Sequence, residues 1–218
     1  MGHGQRLGEP VPDHDLSTIL FVIGGYLAGS IPTGYWLVRW LRRADIRAVG
    51  SGNIGATNVW RTFGARLGVP VMLLDTAKGF APALLATIYV DHLAGVLAGG
   101  AAMLGHWRPL FLRFARGGKV VATCGGAFLG VAPVVGGIGL AVWIIVFSAF
   151  RFASVASIVA ALSLPVAAVA LGEPWPVDAF AGAAALAVLV LHRTNVSRLR
   201  AGTEKRFRFR RPAEPARS

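Results

Sequence analysis

Long apolar runs alternate with short polar segments along most of this chain. The runs approach the roughly 20 residues that an α-helix needs to cross the hydrocarbon core of a bilayer. The pattern therefore predicts an all-α fold, a polytopic membrane helix bundle with about seven transmembrane helices. The predicted spans cover residues 16–41, 67–90, 92–107, 120–150 as two short helices, 154–171 and 177–191.

The run over residues 120–150 is too long for one span. We predict that Pro133 and the Gly136–Gly137 pair divide it into two short helices. If these two helices enter and leave the bilayer on one side, five full spans remain. Both ends of the pair stay on the same side in either case, so the predicted orientation does not depend on this choice.

Basic residues cluster in alternate polar segments, and this sets the predicted orientation. Arg and Lys accumulate in cytoplasmic loops of membrane proteins, and here they follow the first span, the third span and the last span. The opposite turns carry the acidic residues Asp91, Glu173 and Asp178. We expect the N-terminus outside, the C-terminus in the cytoplasm, and a multi-pass protein of the cell membrane with its active site facing the cytoplasm.

Three stretches of the chain differ in composition. Residues 1–15 are polar and contain two prolines, which predicts a disordered lead. Residues 16–200 hold all the apolar runs and form the predicted membrane-embedded domain. Residues 201–218 are predicted to be a basic cytoplasmic tail.

The composition narrows the class of protein. Hydrophobic residues make up 55% of the chain, and its 28 glycines suit close helix–helix approach in lipid. The net charge is +12, but the basic residues cluster between the apolar runs and do not form one soluble basic face, so we expect no nucleic-acid partner. The single cysteine, Cys124, excludes an intrachain disulfide and a cysteine-based metal site. We expect no metal and no cofactor.

Two polar islands occur in the first half of the chain. Gly29–Pro32 lies within the first span, where Ser30 either bonds back to its own helix or, because Pro32 loosens that helix, faces a cavity. Gly50–Asn58 is rich in glycine, serine and asparagine, whose free amides and small side chains suit a phosphate. Asp75 and Lys78 follow, three positions apart on one helix face, where they form a structural ion pair or leave Lys78 to bind a ligand.

Two further islands follow the third and the last span. Gly117 and Gly118 precede Lys119 at a predicted helix start, which combines free amides with a cation. The basic segment after the last span either contacts anionic lipid or points His192 and Asn195, which lie three positions apart, into a shared cavity. All four islands meet the cytoplasmic side in the predicted topology.

Several enzyme classes are disfavoured by what the sequence lacks. It has no GxSxG nucleophile elbow and no carboxylate pair with metal-ligand spacing. Phosphatidyltransferases of the CDP-alcohol type need such carboxylates, and vanadium-type lipid phosphatases need a PSGH motif with a His–Asp pair, so neither class is expected. What the sequence does carry is two or three candidate anion sites.

The motifs have a family resemblance that covers the chain from Gly29 to about Arg206. They are GSIP at 29–32, GSGNIGATN at 50–58, GH at 105–106, GGK at 117–119 and HRTNVSRLRAGTEKR at 192–206. In this order, on a small polytopic chain, they resemble those of the bacterial membrane glycerol-3-phosphate acyltransferases that use acyl phosphate, the PlsY family. Arg151 and Ser154 also match an Arg-x-x-Ser step of that family.

The resemblance implies transfer of a fatty acyl group from acyl phosphate to the sn-1 hydroxyl of glycerol 3-phosphate. The products are lysophosphatidic acid and phosphate, the first step of phospholipid synthesis. An acyl phosphate has a good leaving group, so the protein must mainly position two phosphates and stabilise the oxyanion. The expected partners are acyl phosphate, glycerol 3-phosphate and membrane lipid. We see no HxxxxD motif or hydrophilic domain that would favour acyl-CoA or acyl-carrier protein as donor.

The candidate site residues follow from these motifs. His192, Asn195 and Ser30 are the expected catalytic residues. His192 is a candidate general base, although the family mechanism, which we prefer, lets the donor's own phosphate take the proton. The expected substrate-binding residues are Arg47, Ser51, Gly52, Asn53, Asn58, Arg61, Lys78, His106, Gly118, Lys119, Thr123, Ser154 and Arg198.

Two alternatives to this function stay open, and a departure from the family pattern motivates the first. Val120 stands where the family has glycine, and a β-branched residue is expected to block positive φ or close ligand approach. A catalytically weakened relative is therefore one alternative. A transporter or flippase for a phosphorylated metabolite is the other, although we see none of the internal repeats that would support it.

Overall fold

The computed structural model describes residues 14–208, in which helices are joined by turns without strands. Residues 1–13 of the predicted lead and 209–218 of the predicted tail lie outside the described residues. The all-helical fold predicted from the sequence is confirmed. The described α-helices are α1 His14–Gly29, α2 Thr33–Arg42, α3 Ala56–Phe63, α4 Ala65–Tyr89, α5 His92–Trp107, α6 Val121–Val131, α7 Pro133–Phe150, α8 Ala153–Leu171, α9 Trp175–Leu191 and α10 Arg193–Arg200.

Each predicted span corresponds to helix in the structure, with α1 and α2 together forming the first. By length and apolar composition, four stretches of residues 14–208 can cross a membrane, namely α1 with α2, α4, α7 and α8. A fifth results if α9 and α10, bent by 54°, count as one span. Helices α5 and α6 rise only about 24 Å and 17 Å at 1.5 Å per residue. The number of full crossings and the orientation of the termini stay predictions.

The helix pair predicted over residues 120–150 separates at the proline. Helix α6 ends at Val131 and α7 begins at Pro133, which occupies the first helical position where its missing N–H costs nothing. The expected role of the glycine pair in this break is wrong, because Gly136 and Gly137 lie inside α7. Gly136 instead lets α7 fold back closely, since a Cβ there would lie 2.6 Å from the backbone nitrogen of Leu129.

Helix α4 lies at the centre of the bundle and packs against α1, α3, α5 and α6. Its contact with α6 is backbone to backbone. A Cβ on Gly79 would lie 2.0 Å from the Thr123 carbonyl oxygen, and one on Gly126 would lie 2.0 Å from that of Thr76. Such small-residue contacts maximise van der Waals packing in lipid. Large apolar side chains such as Ile145 cover the outside, as expected for a lipid-facing surface.

The residues after α10 fold back onto the bundle. Phe207 is buried, and its backbone N–H donates to the Arg151 carbonyl between α7 and α8 at 2.7 Å. Its ring packs edge-on against Trp60 and Phe147, with ring centroids 5.5 and 5.4 Å away. The first part of the predicted basic tail is therefore an integral part of the packed structure.

Val120 has a left-handed backbone conformation at the start of α6, with φ +59° and ψ −1°. The expectation that a β-branched residue would block positive φ here is wrong. The side chain is 2% exposed and packs in the main apolar core with Met103 and Cys124. Burial of the valine side chain offsets the strain of this conformation, which costs roughly 1–2 kcal/mol for a residue with a Cβ.

Candidate active site

The loop over residues 50–55 is organised by the side chain of Asn58. Its Oδ1 accepts a hydrogen bond from the Ser51 N–H at 2.9 Å, and its Nδ2 donates to the carbonyls of Val49 and Asn53 at 3.1 and 2.8 Å. Gly50 has φ +64°, and a Cβ there would lie 2.2 Å from Asn58 Oδ1. The Asn58 amide is thus used within the loop, where it shapes the backbone.

A second loop, Gly117–Val120, meets the first through Asn53. The Asn53 Nδ2 donates to the Gly117 carbonyl at 3.4 Å. The N–H groups of Gly117 and Gly118 donate to the carbonyls of Trp107 and His106, each at 2.9 Å. The expectation of free amides at this glycine pair is therefore wrong, because the end of α5 uses both of them.

A polar cavity of about 150 Å³ lies where these loops meet α10. Five of the predicted substrate-binding residues line it, and three of its seven lining side chains are cationic. The lining residues are Ser51, Gly52, Asn53, Arg116, Lys119, Thr194 and Arg198. Cations and hydroxyls together make this cavity suited to a phosphate, whereas the N–H groups of Ser51 and Gly52, expected to be free, donate to Asn58 Oδ1 and the Val49 carbonyl.

Lys119 joins the second loop to α10 at the cavity wall. Its Nζ donates a hydrogen bond to Asn195 Oδ1. Burial, together with the nearby positive charge of Arg198, lowers the pKa of Lys119 to about 8. An anion that binds beside Lys119 stabilises its charged form, so this ammonium group is suited to bind a phosphate.

Glu204, which follows α10, gathers three predicted site residues. Its Oε1 accepts hydrogen bonds from Asn195 Nδ2 at 2.7 Å and Ser154 Oγ at 2.9 Å, and its Oε2 accepts from Arg198 Nε at 2.7 Å. Burial opposes ionisation of this carboxyl, but these hydrogen bonds and the Arg198 charge lower its pKa below the ordinary value. As an ionised carboxylate, Glu204 therefore joins α10 to the start of α8 through these three residues.

His192 lies at the junction of α9 and α10 and is 3% exposed. Its Nδ1 lies 2.8 Å from the Val188 carbonyl, which can only accept, so Nδ1 carries the proton. A neutral His192 then keeps its lone pair on Nε2. That nitrogen can accept a hydrogen bond from a substrate hydroxyl.

Ser30 lies in the break between α1 and α2 and is completely buried. Its Oγ has no hydrogen-bond partner among the described residues, and the same holds for Thr123 Oγ1 and His106 Nδ1. Buried polar atoms without a partner are costly and call for an explanation. A bound substrate that accepts or donates a hydrogen bond would supply the missing partner.

Other predicted site residues make protein contacts away from the polar cavity. Arg47 pairs with Asp45 at 2.7 Å and is exposed, and Arg61 donates to the Lys205 carbonyl at 2.8 Å. Lys78 is buried and pairs with Asp75 at 2.8 Å, as predicted for a structural ion pair. None of these three cations is among the residues that line the polar cavity.

Three residues of the site were not selected from the sequence. Arg116 and Thr194 line the cavity, and Glu204 orients Ser154, Asn195 and Arg198. Arg116 and Thr194 belong to the polar islands described above. Their closeness in sequence to Lys119 and Asn195 is the feature that could have identified them. Within residues 14–208, no group of three His, Cys, Asp or Glu side chains is arranged to hold a metal ion.

Comparison with known proteins gives consistent matches. The family model described as "Glycerol-3-phosphate acyltransferase" matches residues 19–202. A glycerol-3-phosphate acyltransferase of Desulforudis audaxviator (strain MP104C) is 44% identical over 194 residues, which is 88% of this chain and 98% of the relative. A glycerol-3-phosphate acyltransferase of Roseiflexus sp. (strain RS-1) is 46% identical over 198 residues, which is 88% of this chain and 96% of the relative.

Two solved structures share the fold. Both are crystal structures of PlsY (YgiH), an integral membrane glycerol 3-phosphate acyltransferase, and each covers 88% of this chain and 96% of its own. The glycerol 3-phosphate form matches with a TM-score of 0.84 at 40% identity. The lysophosphatidic acid form matches with a TM-score of 0.82 at 37% identity. The likeness to these structures supports the conclusion that this chain is a multi-pass membrane protein.

Proposed function

Because this chain belongs to the family of membrane glycerol-3-phosphate acyltransferases, we propose that it acylates the sn-1 hydroxyl of glycerol 3-phosphate with acyl phosphate as donor. The products are lysophosphatidic acid and inorganic phosphate. The two matching solved structures are a glycerol 3-phosphate form and a lysophosphatidic acid form, which correspond to this acceptor and this product. Acyl phosphate as the donor is our inference from the motifs and the chemistry of the site.

The observation that carries this proposal is the polar cavity. It draws Arg116, Lys119 and Arg198 from two separate segments of the chain onto one small volume beside the glycine-rich loop of Ser51. Two phosphate groups repel each other, so a reaction between two phosphorylated substrates needs fixed positive charge to bring them together. We assign glycerol 3-phosphate to Lys119, Arg198 and Asn195, and the acyl-phosphate head to the side of Ser30, Ser51 and Ser154.

The chemistry needs no protein nucleophile. The sn-1 oxygen of glycerol 3-phosphate attacks the acyl carbon and forms a tetrahedral oxyanion, and its collapse then breaks the bond from that carbon to the phosphate oxygen and leaves the new ester. The hydroxyl proton goes to the departing phosphate. Hydrogen-bond donors such as Ser30 stabilise the tetrahedral oxyanion between these steps, and His192 Nε2 orients the attacking hydroxyl.

The site belongs, in this proposal, to the cytoplasmic end of the bundle. The cavity is lined by the basic loop before α6 and by α10, and basic segments mark the cytoplasmic side. Glycerol 3-phosphate would then arrive from the cytoplasm. The acyl chain of the donor would stay among the apolar helices in the membrane.

Purified full-length protein in detergent, mixed with acyl phosphate and labelled glycerol 3-phosphate, tests the proposal. We expect lysophosphatidic acid and free phosphate in equal amounts. Arg198→Met should strongly reduce product, whereas Arg193→Met on the same helix should not, because Arg193 does not line the cavity. Folded protein that forms no lysophosphatidic acid would refute the proposal, and uptake of label into liposomes without product would indicate transport.

A further inference from the structure

One buried carboxylate is shared by three helices next to the candidate active site. Asp75 lies on α4 and is 1% exposed. Its Oδ1 accepts a hydrogen bond from Thr33 Oγ1 at 2.5 Å and pairs with Lys78 Nζ at 2.8 Å. His106 Nδ1 lies 3.7 Å from the same oxygen. Side chains from α2, α4 and α5 therefore meet at a single atom.

On one side, this cluster holds the break between α1 and α2. Pro32 has no N–H and interrupts the helix, which leaves backbone carbonyls that must find donors inside the protein. Lys78 Nζ donates to the Ile31 carbonyl at 3.0 Å. Thr33, which begins α2, is held by its hydrogen bond to α4. The position of Ser30, one residue before Ile31, is thereby tied to α4.

On the other side, the cluster touches the loop that carries Lys119. His106 accepts a hydrogen bond from the Gly118 N–H through its own carbonyl at 2.9 Å. A Cβ on Gly118 would lie 1.8 Å from His106 Nε2, so the imidazole packs directly against this loop. Lys119 is the next residue, and it lines the polar cavity.

We infer that Asp75 and Lys78 are positioning residues, which hold Ser30 and Lys119 at a fixed separation so that the two substrates align. The inference rests on the proposed function and assigns these two side chains a role in the reaction through the hydrogen bonds that they make to Thr33 and Ile31. Neither side chain lines the polar cavity, so neither needs to contact glycerol 3-phosphate. A purely structural ion pair makes a different prediction, because replacing both buried charges with apolar groups often leaves a protein stable.

Two double variants separate these possibilities. Asp75→Asn with Lys78→Gln removes both charges but keeps an acceptor for Thr33 and a donor for Ile31. Asp75→Leu with Lys78→Met removes the hydrogen bonds as well. We expect the first pair to stay within about threefold of the wild-type kcat, and the second to lose on the order of a hundredfold, as small misplacements do. Thermal unfolding in detergent is measured for both.

The result that overturns the inference is an apolar double variant with the wild-type unfolding midpoint and the wild-type kcat. An equal loss of kcat in both double variants overturns it too, because the hydrogen bonds that only the first pair keeps would then make no difference to the rate. Wild-type protein is assayed first: an inactive wild type contradicts the proposed function, whereas an active one with unaffected variants contradicts the positioning role alone.

A milder variant covers the case in which the apolar pair does not fold. Thr33→Val removes one hydroxyl and its hydrogen bond to Asp75, and we expect kcat to fall about tenfold, equivalent to one hydrogen bond lost in the transition state. Thr87→Val is the matched control, since Thr87 Oγ1 bonds only within α4, to the Ala83 carbonyl at 2.8 Å. Equal kcat values for these two variants would contradict the inference.

Discussion

Lys119 and Asn195, which lie 76 positions apart in the chain, are joined by a hydrogen bond from the ammonium group to the carboxamide oxygen. Asn195 in turn donates to Glu204, so the loop before α6 and the segment after α9 share one polar network. The cation that lines the cavity is thus held by a residue of the C-terminal motif. This connection makes the charge state and the orientation of Lys119 testable.

The affinity for glycerol 3-phosphate should fall at alkaline pH because Lys119 loses its proton. Burial lowers the pKa of Lys119 to about 8, while the substrate phosphate stays fully ionised above about pH 7. The KM should therefore rise with pH above 8, by up to about tenfold per pH unit. Lys119→Arg should flatten this rise, because an arginine keeps its proton. A wild-type KM that stays constant from pH 7 to 9.5 would contradict the assignment.

Replacing Glu204 should destabilise the protein by leaving its three partners without an acceptor. Glu204→Ala should cost about 2–3 kcal/mol in the free energy of unfolding, mostly from the buried hydrogen bonds, since the partly exposed ion pair with Arg198 contributes little. Glu204→Gln keeps an acceptor and should cost less. The control is Glu173→Gln, at the turn between α8 and α9. Equal unfolding midpoints for Glu204→Ala and this control would be inconsistent with the network.

The lowered pKa of Glu204 also sets the direction of a pH effect on stability. The unfolded carboxyl titrates near 4.5, above its folded pKa. The contribution of Glu204 is therefore fully present above pH 4.5 and is lost as the pH falls below it. The gap in stability between wild type and Glu204→Gln, followed by thermal unfolding, should narrow in that acid range.

Position 120 should tolerate glycine better than alanine. Val120→Ala loses buried methyl groups but keeps the Cβ in the left-handed conformation, and should cost about 2–3 kcal/mol. Val120→Gly loses the same packing but relieves the strain, so it should be about 1 kcal/mol more stable than the alanine variant. Thermal unfolding of the two variants in one detergent ranks them. A higher unfolding midpoint for Val120→Ala than for Val120→Gly, which is the usual order at negative φ, would contradict the observed backbone conformation.

The replacement of His192 distinguishes two possible proton acceptors. A general base contributes on the order of 10²–10⁴-fold to the rate. If the donor's own phosphate takes the proton, His192→Gln should reduce kcat by less than about tenfold, because only the orientation of the hydroxyl is lost. Steady-state kcat and KM between pH 6 and 9 provide the measurement. A collapse of kcat at high pH with unchanged KM would make His192 the base.

The helices could be predicted well because their pattern is local. Apolar runs and Pro133 gave the positions of α4 to α9 closely. The cavity could be predicted in part, since Ser51, Lys119 and Arg198 stand in recognisable polar motifs. These residue types indicate an anion site wherever the chain brings them together.

What sequence could not predict depends on partners that are distant along the chain. The amides of Gly117 and Gly118 look free in the sequence, but the carbonyls at the end of α5 occupy them. Glu204 looks like one charge in a basic tail, but it accepts hydrogen bonds from Ser154 and Asn195. Val120 keeps its positive φ because surrounding core residues bury its side chain, which no local propensity expresses.

The return of the chain after α10 has a consequence for biosynthesis. Glu204 and Phe207 follow α10, the last of the described helices, and are therefore synthesised after it. A nascent chain that already has α1 to α10 in the bilayer still lacks the carboxylate that orients Asn195 and Arg198. The hydrogen-bond network of Ser154, Asn195 and Arg198 is therefore completed only after the last described helix has been synthesised.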